Sequence, residues 1–348
     1  MDFSGDPRDG QKNKNHFFMS GVSIIICAYN ASKRIVPTLQ HLQKQQFNKP
    51  ISWEVIVVDN ASDDNTSEVA GVVWNQNPVT NFFVVREETP GLMYARQRGL
   101  ESANYEIVSF IDDDNWVESL WVQKVADLFA INEKIGACSG RSEAVFESTA
   151  PEWFPLFESS FAVGRQASES GIIDDKKGYL WGAGFSFRKS LWFNLKKKGF
   201  KNLTVGRQGK NIYSGEDTEL CYAFRLMGYQ LYYDNELSLK HYMPEGRMNF
   251  SYVEKMSKGF GMANVHLNCY RAMLYPGFKL NSWWHEWLAA VKEIMRQFFV
   301  SILSTNKHIV WQAKVRKAYW KGYATQTWND KSLVKQYVAS VNDIFSAK

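Results

Sequence analysis

Three consecutive carboxylates, Asp112, Asp113 and Asp114, follow an apolar run and give the stretch FIDDDN. Adjacent like charges repel one another, so the cluster needs either solvent or a cation. In an extended segment alternate side chains share a face, which sets Asp112 and Asp114 together and Asp113 opposite. A carboxylate pair of that kind suits Mg2+ or Mn2+ and leaves coordination positions for a diphosphate. The cation would then neutralise charge on a phosphate leaving group. A solvated turn capping a helix that starts near Trp116 accounts for the same residues.

Two further stretches are acidic. In VVDNASDDNT, Asp59 closes an apolar strand and Ser62 to Thr66 can cap the next helix. In YSGEDTELCYAFRLMGY (213–229), Glu216 and Asp217 stand at a helix start. Ser214 with Asp217 three residues on is close to a capping box, and acids suit a helix N-terminus.

The elements that must position these residues are legible as hydrophobic runs. Val22–Cys27, Trp53–Val58, Phe82–Val85 and Glu106–Ile111 read as strands, with helical patterns near 32–46, 63–74, 91–103 and 116–131. Near-continuous apolar strands separated by helices predict a parallel sheet covered on both faces. In such sheets ligands gather beyond the carboxyl ends of the strands. All but the third strand run directly into a polar signature there: AYN, DNASDDNT or DDDN. Further on, Ile135–Phe146, Tyr179–Arg188 and 230–242 are strand-like and 216–228 helical.

Composition sets outer limits. The 348 residues suffice for one large domain with an appendage, or for two. Cys27, Cys138, Cys221 and Cys269 lack metal-ligand spacing, and no segment resembles a signal peptide, so a cytoplasmic setting is expected. The most apolar late stretch, Trp287–Leu303, is interrupted by Lys292, Glu293 and Arg296, so no spanning helix is expected. From Gly246 onward 15 Lys and Arg face 5 Asp and Glu, a local +10 that leaves the first 245 residues at −5 within the total of +5. Residues 1–20 are polar and read as a disordered leader.

In order along 21–245, these stretches resemble the family 2 glycosyltransferases. CAYN and VVDNASDDNT are similar to the family's first two strand ends, with Asn60 where a second Asp is commoner. PGLMYARQRG (90–99) resembles G-x-x-x-A-R-N-x-G, with Gln97 in place of Asn, and FIDDDN falls where the family has its D-x-D motif. The resemblance implies an α/β GT-A fold, with a mostly parallel central sheet flanked by helices. Ala28, Tyr29, Asn30, Asp59, Arg96, Asp112 and Asp113 would then contact the nucleotide sugar. Asp114, with Asp112 and His241, would hold Mn2+ or Mg2+, and Arg247 of LKHYMPEGR would meet phosphate. Asp217 would be the general base, with Glu216 supporting it. Trp181, Gly182, Ala183 and Gly184 of WGAGFSFRKS would shape the acceptor pocket, although a tight strand with a packed Trp is an equal reading. His241 reads equally as a structural strand-end histidine.

The implied function is inverting, non-processive transfer of a sugar from a nucleoside diphosphate, UDP first, to a hydroxyl. The acceptor is a glycan, a lipid-linked oligosaccharide or a protein. A non-catalytic nucleotide-sugar or glycan-binding subunit is the alternative. A sugar-1-phosphate nucleotidyltransferase would need a Gly-rich basic loop after the first strand, which CAYNASKR lacks. Residues 246–348 match no motif of the family. Their Trp283, Trp284, Trp287, Trp311, Trp320 and Trp328 among Lys and Arg suit either a peripheral membrane surface at the cytoplasmic face or a helical cap. Nucleic acid is not expected as a partner, since the tail carries no recognition module.

Overall fold

The computed structural model describes residues 19–173, 178–204 and 214–346; most of the expected leader lies outside the described residues. Four parallel strands, β1 (Met19–Ala28), β2 (Trp53–Asn60), β3 (Asn81–Glu87) and β4 (Tyr105–Phe110), form one half of a sheet in the order β3-β2-β1-β4. Their registers set Ile25 opposite Ile56 and Phe110. Ile24, Ile26, Val55 and Val57 point to one face, under helices α1 (Ile35–Leu42), α2 (Thr66–Gln76) and α4 (Trp121–Ile131). Ile25, Ile56, Val58 and Phe110 point to the other, under α3 (Leu92–Ser102), α5 (Lys189–Lys197) and α6 (Glu216–Leu226). Burial on both faces explains the unbroken apolar runs, because period-2 alternation appears only where one face is wet. β3 is the edge, and Phe83 and Val84 are exposed on it.

The other half of the sheet is mixed. β5 (Asn115–Val117), β6 (Ile135–Phe146), β7 (Gly171–Ile172), β8 (Phe185–Arg188) and β9 (Gln230–Met243) continue the order as β8-β6-β9-β5, with β7 on β9. β8 runs antiparallel to both β4 and β6, whereas β6 and β9 are parallel. The strand expected over Tyr179–Arg188 is therefore only its last four residues, because the preceding glycines turn the chain before it joins β4.

Four helices complete the chain: α7 (Phe250–Leu274), α8 (Trp283–Leu303), α9 (Lys307–Asn329) and α10 (Val334–Ser346). α7 packs on α6 and α10 packs on α7, so that Leu267, Tyr270, Val341 and Ile344 join the core that holds Leu220 and Phe224. Gly261 of α7 and Gly322 of α9 each abut the other helix's backbone, so these helices cross with no side chain between them. No described helix is long and apolar enough to cross a membrane.

Candidate functional site

A cavity of about 840 Å³ opens at the carboxyl ends of β1 and β4, the location expected for an open α/β sheet. β1 delivers Ala28 and Tyr29 to its wall, α3 delivers Arg96, and the loop after β4 delivers Asp112, Asp113 and Asp114. The segment before β8 adds Trp181, Gly182 and Ala183, and the start of α6 adds Glu216 and Asp217. His241 and Arg247 close the far side from β9 and the turn after it.

Three expected residues lie outside this wall. Asn30 adopts a left-handed conformation, and its Oδ1 accepts from the Asp63 amide at 2.8 Å. Buried Asp59 accepts from the Ser62 amide at 3.1 Å, from the Ser67 hydroxyl and from Arg86 Nη1 at 2.9 Å. Burial works against its charge, but these bonds prevail and hold its carboxyl below the usual range. Gly184 sits behind the wall against Trp121.

Residues 113 and 114 form a turn rather than an extended segment, so the expected alternation of the carboxylates does not occur. All three face the cavity, and two have their own arginine. Arg34 Nη2 lies 2.9 Å from Asp113 Oδ2, and Arg247 Nη1 lies 2.8 Å from Asp114 Oδ2. Burial and the neighbouring Asp114 push the Asp113 carboxyl up to about 6. The turn does not cap a helix at Trp116. Residues 115–117 form β5, and α4 begins at Trp121.

Gly215, not Ser214, is the N-cap of α6, and no side chain caps that end. The capping-box reading therefore fails and Asp217 is free for another use. Its Oδ1 lies 2.5 Å from Arg96 Nη1, which is 3.9 Å from Glu216 Oε1. Burial disfavours the Arg96 charge, but Asp217, Glu216 and Asp112 outweigh it and hold the guanidinium protonated. Asp217 Oδ2 packs over Gly182, in space that any Cβ at 182 would occupy. Glycine is needed there for that reason.

The lining includes residues beyond those expected at the site. Asn60 donates to the Thr89 carbonyl at 2.7 Å and accepts from the Gly91 amide at 2.8 Å, fixing the lip of the cavity. Tyr252, Met256, Phe260, Ala263, Leu267 and Arg271 form one wall. Their spacing of three and four residues is a single helical face, a signal present in the sequence.

Asp114 and Asp112 offer hard oxygen donors, and His241 Nε2 lies 3.5 Å from Asp114 Oδ1 while its buried Nδ1 has no hydrogen-bond partner among the described residues. This donor chemistry suits Mg2+ or Mn2+. No three such groups are drawn together around one point among the described residues, and Arg247 holds Asp114.

Residues 23–192 match the family model for glycosyl transferase family 2. The glucosyl-dolichyl phosphate glucuronosyltransferase of Haloferax volcanii is 22% identical over 240 residues, covering 67% of this chain and 72% of that protein. The poly-beta-1,6-N-acetyl-D-glucosamine synthase of Staphylococcus aureus strain COL is 23% identical over 219 residues, covering 62% of this chain and 48% of that protein. This chain thus spans about half the length of the second relative. Among solved structures, S. aureus TarS 1-349 in complex with UDP-GlcNAc superposes with a TM-score of 0.50 at 15% identity, covering 90% of this chain and 92% of that one. That likeness concerns the fold. The family match over residues 23–192 and the relatives' names agree with the strand-end cavity, and together they support a glycosyltransferase enzyme of the GT-A fold.

Proposed function

We propose that the chain transfers a sugar from a nucleoside diphosphate sugar to an acceptor hydroxyl with inversion, and that Asp217 is the base. The observation that carries this reading is that Asp217 opens into the same cavity as Asp112, Asp113 and Asp114, where a donor's diphosphate would lie. UDP is the first candidate, supported by the UDP-GlcNAc in the TarS structure. Ala28 and Tyr29 would line the base, with Arg96 near the nucleotide. Asp59 would act from behind, by setting the turn after β2.

The acceptor oxygen attacks the anomeric carbon as Asp217 takes its proton, and the bond from that carbon to the diphosphate oxygen breaks. The leaving diphosphate carries off the electron pair, and attack from the opposite side inverts the centre. Arg96 orients the Asp217 carboxylate, and Glu216 faces the same Arg96 nitrogen. Arg247 and Arg34 are cations of this chain at the acidic turn. Asp114, Asp112 and His241 would hold a divalent cation, which when bound supplies charge neutralisation on the diphosphate. Trp181, Gly182 and Ala183 would face the acceptor.

The acceptor is a glycan, a lipid-linked saccharide or a protein; the Haloferax relative's name favours the lipid-linked class. A peripheral membrane contact fits α8, where Trp284, Leu288, Met295, Phe299, Ile302 and Leu303 are exposed. Lys317 Nζ stands 5.5 Å from the Phe298 ring on that face. Basic residues beside an exposed apolar helix face suit anionic lipid and oppose pairing with a second, equally basic copy.

Thermal stabilisation by UDP, GDP, dTDP and CMP, each with Mn2+, Mg2+ or EDTA, tests the donor site, because a ligand that binds the native state raises the midpoint. A metal-dependent shift with one diphosphate, lost in Asp114→Ala, is the expected result. No shift with any nucleotide would refute it.

A further inference from the structure

Among the described residues, four arginines stand on the cavity wall and three are matched by carboxylates: Arg34 by Asp113, Arg96 by Asp217 and Arg247 by Asp114. Arg271 is not. Its Nε donates to the Tyr222 hydroxyl at 3.1 Å, and its Nη1 to Asn264 Oδ1 at 2.5 Å and Asn268 Oδ1 at 2.8 Å. All these partners are neutral, and Arg271 makes no ion pair among the described residues. The guanidinium also lies over the Tyr222 ring, 5.6 Å from its centroid. Its field reaches Tyr179 and Tyr319, where burial raises the phenols and the Arg271 charge offsets part of that rise. Both tyrosines line the cavity.

Position separates this cation from the donor end. On α7, Arg271 follows Leu267 by one turn, and Leu267 packs where α6 begins, beside Gly215. One helical turn is about 5.4 Å. The guanidinium therefore stands beyond Glu216 and Asp217, on the side away from Asp112–Asp114. A guanidinium held by amide and phenol oxygens keeps its full charge toward the cavity, and its fork matches carboxylate and phosphate. Aromatic walls on either side offer flat faces for a ring or chain of carbons.

We propose that this arm of the cavity is an acceptor subsite for an anionic saccharide or polyol, whose phosphate or carboxylate seats on Arg271 between Tyr179 and Tyr319. The inference rests on Asp217 being the base at the junction of the two arms. It turns the general acceptor class into a charged one and makes Arg271 its specificity-determining residue.

The test uses the full chain saturated with UDP and Mn2+ in about 0.15 M salt, with binding followed by ligand-observed NMR. Probes are glucose 6-phosphate, sorbitol 6-phosphate and glucuronate against glucose and sorbitol. At least one anionic probe should bind about tenfold or more tightly than its neutral counterpart, in line with a charge-assisted hydrogen bond. Preference for the phosphates identifies a phosphorylated acceptor, and preference for glucuronate a uronic acid. Arg271→Gln should abolish the preference and Arg271→Lys retain part of it, with stabilisation by UDP unchanged in both. Equal binding of charged and neutral probes by the wild-type protein, or no binding of any, would overturn the proposal. So would loss of UDP stabilisation in Arg271→Gln, since that places the residue in the donor site or the core. Failure of the wild-type protein to respond to UDP would instead strike the donor reading itself.

Discussion

Arg96 Nη1 and Asp217 Oδ1, 2.5 Å apart, join α3 to α6 in the wall of the cavity. This pair links the helix that follows β3 to the residue assigned as base, so the donor and acceptor sides share one charge network. Replacing Arg96 by Met leaves buried Glu216 and half-buried Asp217 without their cation and should cost about 3 kcal/mol of stability. Arg96→Lys keeps the charge but loses the planar fork. It should fold with a near-normal melting midpoint and turn over donor about 10- to 100-fold more slowly. Full activity in the Lys variant would show that the guanidinium does not orient Asp217.

Gly182→Ala places a methyl group where Asp217 Oδ2 lies. The carboxylate must move, and a displacement of about 1 Å can cost about a hundredfold in rate. Stabilisation by UDP should persist, because the donor end is built from β1, α3 and the turn after β4. Unaltered turnover in this variant would remove Asp217 from the reacting centre.

The exposed face of α8 should bind vesicles containing phosphatidylglycerol or phosphatidylserine, and binding should weaken as salt is raised. Leu288→Asp with Phe299→Asp removes two apolar anchors that are 50% and 49% exposed, so the fold should be little affected. Flotation with the vesicles should be lost while UDP stabilisation stays the same. Equal flotation of wild type and variant would end the membrane reading of this helix.

Lys189 gives a pH dependence of known sign. It is buried at the start of α5 with its ammonium donating to the Ala103 carbonyl, and burial pushes its pKa from 10.5 down to about 8. Between those values the unfolded chain holds a proton that the folded chain has released, so folding stability contributed by this group rises with pH. Below pH 8 the burial cost is fully present. The midpoint of wild type relative to Lys189→Met should therefore increase from pH 8 to pH 10. A constant difference over that range would show that the ammonium is not strained by burial.

Much of this site was legible because chemistry and periodicity coincided in the first half of the chain. β1, β2 and β4 are buried on both faces, so their apolar runs stand out and their polar ends mark the cavity. The geometry at Asp112–Asp114 was not legible. A turn of charged residues has no period, and its shape depends on Arg34 and Arg247, which are distant in sequence. Local pattern misled at Ser214, where a capping-box spacing competes with Gly215 in a left-handed conformation at the true N-cap. Asp59 was expected at the nucleotide through the family resemblance; Ser62, Ser67 and the sequence-distant Arg86 hold it outside the cavity lining. Tyr252 to Arg271 did show helical spacing. Its meaning was hidden because tertiary packing, on α6 and α9, brings that face to the cavity.

Release of UDP from UDP-sugars by wild type and Asp217→Asn, alone and with candidate acceptors, tests whether Asp217 is the base. The wild-type protein should release UDP and the variant should lose about a thousandfold or more of that rate, with stabilisation by UDP retained. Release at the wild-type rate by Asp217→Asn, or loss of UDP binding together with activity, would contradict the assignment of Asp217 as the base.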